Sequence, residues 1–108
     1  MHLDELRLEE REAIFEMAGI AKALEDPTRL EIVIYLLDHK EEVEYADIVK
    51  LFTLEQPTVS HHVRILRDAR IVRKIQSSYW SQYSFYNDAV RRAMAQHIET
   101  LRSLHKVL

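Results

Sequence analysis

The hydrophobic period of this chain changes at Ile71 and changes back at Asn87, and that order of periods excludes most architectures. From Leu6 to Leu24 the apolar residues recur at helical spacing, at Leu6, Ile14, Met17, Ala21 and Leu24. Asp26-Pro27-Thr28 marks a break: Asp26 suits a helix cap, and Pro27 suits a first helical position, where its missing N–H is not needed. A second helix to about Leu37 is expected to bury Leu30, Val33, Ile34 and Leu37. His39–Glu42 is polar, Val43 is expected to be a single extended residue or a short strand, and a short helix is expected from about Tyr45 to Phe52 with Ile48, Val49 and Phe52 inward. Thr53-Leu54-Glu55 is long enough only for a turn.

The next helix is expected from Gln56 to about Ala69, with Pro57 in its first turn. Steps of about 100° place Val59, Val63 and Leu66 on one side. His61, Arg64 and Asp68 fall opposite, Ser60 and Arg67 on the flank, and His62 near the buried edge. The segments IVRKIQ and YWSQYSF are rich in β-branched and aromatic residues and flank Ser77-Ser78, so they predict a two-stranded hairpin. A last helix from about Asn87 to Leu108 carries the apolar stripe Val90, Met94, Ile98, Leu101, Leu104 and Leu108. The expected fold is mainly α with a small β-hairpin: four helices, the hairpin and a fifth helix in one domain spanning 1–108.

Charge is segregated along this order. Residues 1–55 carry 6 basic and 15 acidic side chains, net −9, whereas residues 56–80 carry 5 basic and 1 acidic, net +4. The positive segment holds Arg64, Arg67, Arg70, Arg73 and Lys74, so an overall charge of −3 does not argue against nucleic acid. The chain has no cysteine, which excludes disulfides, thiolate metal sites and thiol catalysis. No apolar run approaches the roughly 18 residues of a membrane span. The acidic, amphipathic start lacks the basic and apolar blocks of a secretory signal, so a cytoplasmic location is expected. No glycine-rich phosphate loop or nucleophile–base spacing points to an enzyme.

Two short helices, a tight turn and a hairpin form the order of a winged helix-turn-helix. The second helix of such a pair fits the DNA major groove, and basic residues on it and on the hairpin neutralise phosphates. On AKALEDPTRLEIVIYLL (21–37), QPTVSHHVRILRDARIVRK (56–74) and WSQYSF (80–85), the chain resembles the ArsR/SmtB family of repressors. The resemblance runs without insertions across about residues 15–87. It implies a homodimer joined through the first and last helices (1–25 and 87–108), with a DNA-binding core at 26–86. It also implies a palindromic double-stranded operator and repression relieved by an effector.

The resemblance places DNA contacts at Gln56, Thr58, Ser60, His61 and Arg64, with Arg67, Arg73, Lys74 and Tyr79 toward phosphates. It places the dimer interface on Leu6, Ile14, Met17, Val90, Met94, Ile98 and Leu101. The chain departs from the family pattern in three places. Arg70 stands where glycine usually closes the recognition helix, at a cost of about 1 kcal/mol unless the helix ends differently. The hairpin tip is Gln76-Ser77-Ser78-Tyr79 and lacks two cations, and Glu55 replaces a serine cap. Weaker and more salt-sensitive DNA binding is therefore expected.

The family's metal sites do not carry over. The cysteine-type site falls on EYADIV, and the zinc-type site, aligned on His97, falls on Ser84, Tyr86, His97 and Thr100, of which His97 alone is a metal-ligand type. No metal and no cofactor is assigned, and the effector, a small molecule or a protein, stays open. The alternatives are a metal-responsive repressor using Asp88, His97, Glu99, His105 and His2, or a winged-helix interaction module without DNA binding.

Overall fold

The computed structural model describes residues 7–53, 55–76 and 80–107, with the side chain of Gln56 also left out. Its elements are α1 (Leu8–Ala23), α2 (Pro27–Leu37), β1 (Val43–Glu44), α3 (Tyr45–Val49), α4 (Gln56–Asp68), β2 (Val72–Gln76), β3 (Ser81–Phe85) and α5 (Asp88–Val107). Local chemistry explains several boundaries. Asp26 accepts from the Thr28 and Arg29 N–H groups at 2.8 and 3.2 Å, and Pro27 opens α2 behind it. Asn87 accepts from the Val90 N–H at 2.8 Å at the start of α5. At Arg7, the Glu10 carboxylate reaches back to the backbone N–H at 3.1 Å.

The expected hairpin forms, and the short strand, one of the two readings of Val43, joins it as a third strand, a pairing the local sequence did not indicate. β1 lies beside β3, pairing Val43 with Tyr83 and Glu44 with Gln82, and β3 pairs with β2 from Val72–Phe85 to Gln76–Ser81, all antiparallel. The expected helix to Phe52 stops at Val49, and the chain continues in turns held by the Leu51 and Phe52 N–H groups on Ile48 and Val49. The expected turns at Leu54 and Ser77-Ser78 lie in part outside the described residues.

The core is built from Ile32, Val33 and Leu36 of α2, Ile48 of α3, Val59, Val63 and Leu66 of α4, the segment Ile71-Val72, Tyr83 and Phe85 of β3, and Met94 and Ile98 of α5. Each such apolar side chain contributes about 1.5–3 kcal/mol on burial. α2 is buried on a wider arc than its expected stripe: Ile32 and Leu36 are sealed, while Leu30, Ile34 and Leu37 are partly buried against the core. α2 lies between α4 and α5 and is therefore covered from more than one side. Arg91 ties the start of α5 down, stacking 4.9 Å over the Phe85 ring and donating to the His39 carbonyl at 2.7 Å.

α1 is the exception to this packing. All of its residues from Arg11 to Lys22 are exposed, including Ile14, Met17 and Phe15, which is 81% exposed. A sixteen-residue helix is marginal in water on its own, and among the described residues nothing covers the apolar face of α1. The far end of α5 is similar, with Leu101, Leu104 and Val107 exposed. Among the described residues no helix is long and apolar enough to cross a membrane.

Candidate nucleic-acid interface

α4 presents two different surfaces. Val59, Val63 and Leu66 are at most 3% exposed and bind the helix to the core. Thr58, Ser60, His61, Arg64 and Arg67 are all exposed on the outer side. Asp68 is exposed there too and adds one negative charge. The helix backbone at Gln56 is described but its side chain is not, and Tyr79 lies outside the described residues. Arg64 makes no hydrogen bond or ion pair among the described residues and stands free for a ligand.

His62 does not share that role. Its Nδ1 lies 3.0 Å from an Arg29 guanidinium nitrogen. A guanidinium can only donate, so Nδ1 is the acceptor and a neutral ring carries its proton on Nε2. Arg29 also donates through Nε to the Ala23 carbonyl at 2.7 Å and, more weakly, to the Lys22 carbonyl at 3.4 Å. One side chain thus joins the end of α1, the start of α2 and the back of α4. Asp26 lies 3.8 Å from His62. Partial burial raises the Asp26 pKa, but the backbone N–H groups of Arg29 and Thr28 and the Arg29 charge outweigh it, so the carboxyl titrates below its ordinary value. The pattern of alternating faces located His62 at the buried edge; its partner, 33 residues away, had no local signal.

The end of α4 is unusual. Arg70 has φ 59°, the left-handed conformation. Its N–H donates to the Arg67 carbonyl at 2.9 Å, and the Ile71 N–H donates to the Leu66 carbonyl at 3.0 Å. This is the Schellman closure that glycine ordinarily makes, with Ile71 packed in the core beside Leu66. Arginine therefore takes the strained conformation rather than ending the helix another way. The closure turns the chain directly into β2.

The hairpin carries Arg73 and Lys74, both exposed, on opposite faces of β2. Arg73 donates to the Ser84 hydroxyl across the strands at 3.2 Å. Lys74 pairs directly with Tyr83 and faces α4, where a cleft of about 410 Å³ opens between helix and sheet. Tyr45, Pro57, Ser60, Lys74, Ser81 and Tyr83 line it. Tyr83 was not among the residues singled out from sequence, because its strand pattern marks it only as an inward-facing aromatic.

The residues expected at a dimer interface divide. Ile14, Met17 and Leu101 are exposed on α1 and the distal half of α5. Met94 and Ile98, placed at the interface from sequence, are instead 7% and 4% exposed within this chain's own core, and Val90 packs against that core. The reason is that α5 turns its proximal stripe onto α2 and β3. Leu6 lies outside the described residues. For the metal alternative, no group of three or more metal-ligand residues forms among the described residues. Asp88 and His105 sit near opposite ends of the 20-residue α5, and His2 lies outside the description.

Comparison with known proteins agrees with this geometry. The family model for bacterial regulatory proteins of the arsR family matches residues 26–74. The chain is 36% identical over 74 residues to an uncharacterized HTH-type transcriptional regulator of Methanocaldococcus jannaschii, covering 68% of this chain and 82% of that protein. It is 31% identical over 77 residues to the arsenical resistance operon repressor of Bacillus subtilis, covering 71% and 72% respectively. The structure superposes on a homodimeric winged helix-turn-helix DNA-binding domain from Mycobacterium bovis with a TM-score of 0.80, at 19% identity and over 94% and 91% of the two chains. At that identity the likeness establishes the fold.

Proposed function

This chain belongs to the ArsR family of bacterial regulatory proteins, and from that premise we propose that it is a sequence-specific, DNA-binding transcriptional repressor acting as a homodimer. The observation that carries the reading is the division of α4, with Val59, Val63 and Leu66 sealed and Ser60, His61 and Arg64 left outward. Those outward types suit base edges: arginine forks onto guanine, and serine pairs with several groups. Gln56 and Thr58 complete the set at the front of the helix. Arg67, Arg73, Lys74 and Tyr79 neutralise or hydrogen-bond phosphates on either side.

The bare apolar faces of α1 and distal α5 support pairing of two chains, which places two copies of α4 on successive major grooves. Residues 26–86 then serve as the DNA-binding core, and 1–25 with 87–108 as the dimer helices. The protein acts in the cytoplasm without catalysis. Its effector is not a metal held by cysteine, since none is present. Selection of bound fragments from a genomic library, repeated at several salt concentrations, tests the reading. The expected outcome is one palindromic site with half-sites about 10 bp apart and a steep salt dependence. Recovery of fragments without a shared sequence refutes it.

A further inference from the structure

Ser60 and Lys74, assigned above to the duplex, both line the cleft between α4 and the hairpin, but a third lining residue, Tyr83, has no role in that assignment. Tyr83 is only 6% exposed. Its ring is tilted against Tyr45, with centroids 6.0 Å apart, yet its hydroxyl makes no hydrogen bond to any described residue. Among the described residues no side-chain oxygen or nitrogen is both sealed and unpartnered. The Tyr83 hydroxyl therefore opens on the cleft. A buried tyrosine ordinarily satisfies its O–H, so a donor left in this position marks a place for an acceptor.

The other lining groups define what that acceptor is. Lys74 is the direct cross-strand neighbour of Tyr83, so both side chains leave the same face of the sheet. Lys74 has no carboxylate partner among the described residues. Ser60 offers a hydroxyl from the helix wall, whereas the Ser81 hydroxyl on the sheet donates to the Gln76 side-chain oxygen at 3.4 Å. No carboxylate among the described residues lines the cleft. Arg67 adds positive charge near Tyr83, and burial keeps the phenol above its ordinary pKa, so it remains a neutral donor. A cation and the two O–H donors of Tyr83 and Ser60, with no opposing anion among the described residues, form a seat for an oxyanion.

We propose that this cleft seats a backbone phosphate of the bound duplex, held by the Tyr83 hydroxyl and the Lys74 ammonium, so that Tyr83 is a DNA-positioning residue. This rests on the repressor reading. The seat lies where α4 meets the hairpin, so one phosphate gripped there sets how deeply α4 enters the groove. Phosphate contacts of this kind fix register without reading sequence.

The test uses the full chain with Tyr83→Phe, which keeps the ring and removes the donor, and Lys74→Gln. Tyr83→Phe is expected to weaken operator binding about three- to tenfold with unchanged melting temperature and unchanged salt slope. Lys74→Gln is expected to weaken binding and lower the salt slope by about one. An operator carrying a single neutral methylphosphonate at the seated phosphate should weaken wild type, and Tyr83→Phe should lose nothing further on it. The proposal is overturned if Tyr83→Phe binds the operator like wild type while Arg64→Ala still weakens it, which leaves the repressor reading standing. Wild-type protein that binds no duplex overturns both. A third arm titrates inorganic phosphate into the free protein by NMR. Tight saturation at Tyr83, with operator affinity indifferent to the variant, assigns the seat to a small phosphate ligand and overturns the DNA assignment.

Discussion

Replacing Arg70 with glycine should stabilise this protein, against the usual direction of a change to glycine. Arg70 closes α4 at φ 59°, and its side chain is exposed, so the substitution removes little packing. The left-handed conformation costs a residue with a Cβ about 1–2 kcal/mol, which glycine does not incur. Glycine also gains freedom in the unfolded chain, which returns about 0.4–1 kcal/mol of that advantage. The net expectation for Arg70→Gly is a gain of roughly 0.5–1 kcal/mol, or a rise of about 2–4 °C in melting temperature for a domain of this size. Both closing hydrogen bonds, to Arg67 and Leu66, are backbone bonds and survive the change. Thermal unfolding by circular dichroism, at one fixed protomer concentration because the melting of a dimer depends on it, gives the measurement. Arg70→Val is the control: a β-branched residue tolerates this conformation least, and its melting temperature should fall below wild type. A glycine variant that melts at or below the wild-type temperature refutes the argument from strain.

Met17→Glu with Leu101→Glu places charges on the two exposed apolar faces while leaving the core intact; sedimentation equilibrium should then show folded monomers, and a persisting dimer rejects that interface. Arg64→Ala should weaken operator binding by about 1–3 kcal/mol and relax base preference at one position, read from titrations against single-base variants; an unchanged isotherm removes Arg64 from the readout. Asp26→Ala removes the cap of α2 and should cost about 1 kcal/mol in urea unfolding. Because the folded pKa of Asp26 is depressed, its charge contributes stability above the ordinary carboxylate pKa, and that contribution is lost as pH falls through the lowered value. The acid limb of the stability profile should therefore flatten in Asp26→Ala; an identical limb in both proteins rejects Asp26 as a contributor.

Much of the candidate interface was legible because it depends on period alone. The 100° steps of α4 separated Val59, Val63 and Leu66 from His61 and Arg64, and burial follows that division residue by residue. The stripe on α5 was legible only as a stripe. Met94 and Ile98 belong to the chain's own core while Leu101 is bare, and nothing in the spacing separates a face that meets α2 from one that meets another molecule. β1 is two residues long and pairs across some forty positions, so it carries no periodic signal.

Short-range information, then, sits in the sequence itself: the order of the elements, the cap at Asp26 and the outward side of α4 all follow from interactions within a few residues, while the conflict at Arg70 was visible through the family resemblance. Long-range information is absent from it. The grip of Arg29 on His62, the third strand, the division of α5 between core and surface, and the cleft beneath Tyr83 exist only once distant segments meet. A periodic pattern states that a face will be covered; only the packed chain determines by what.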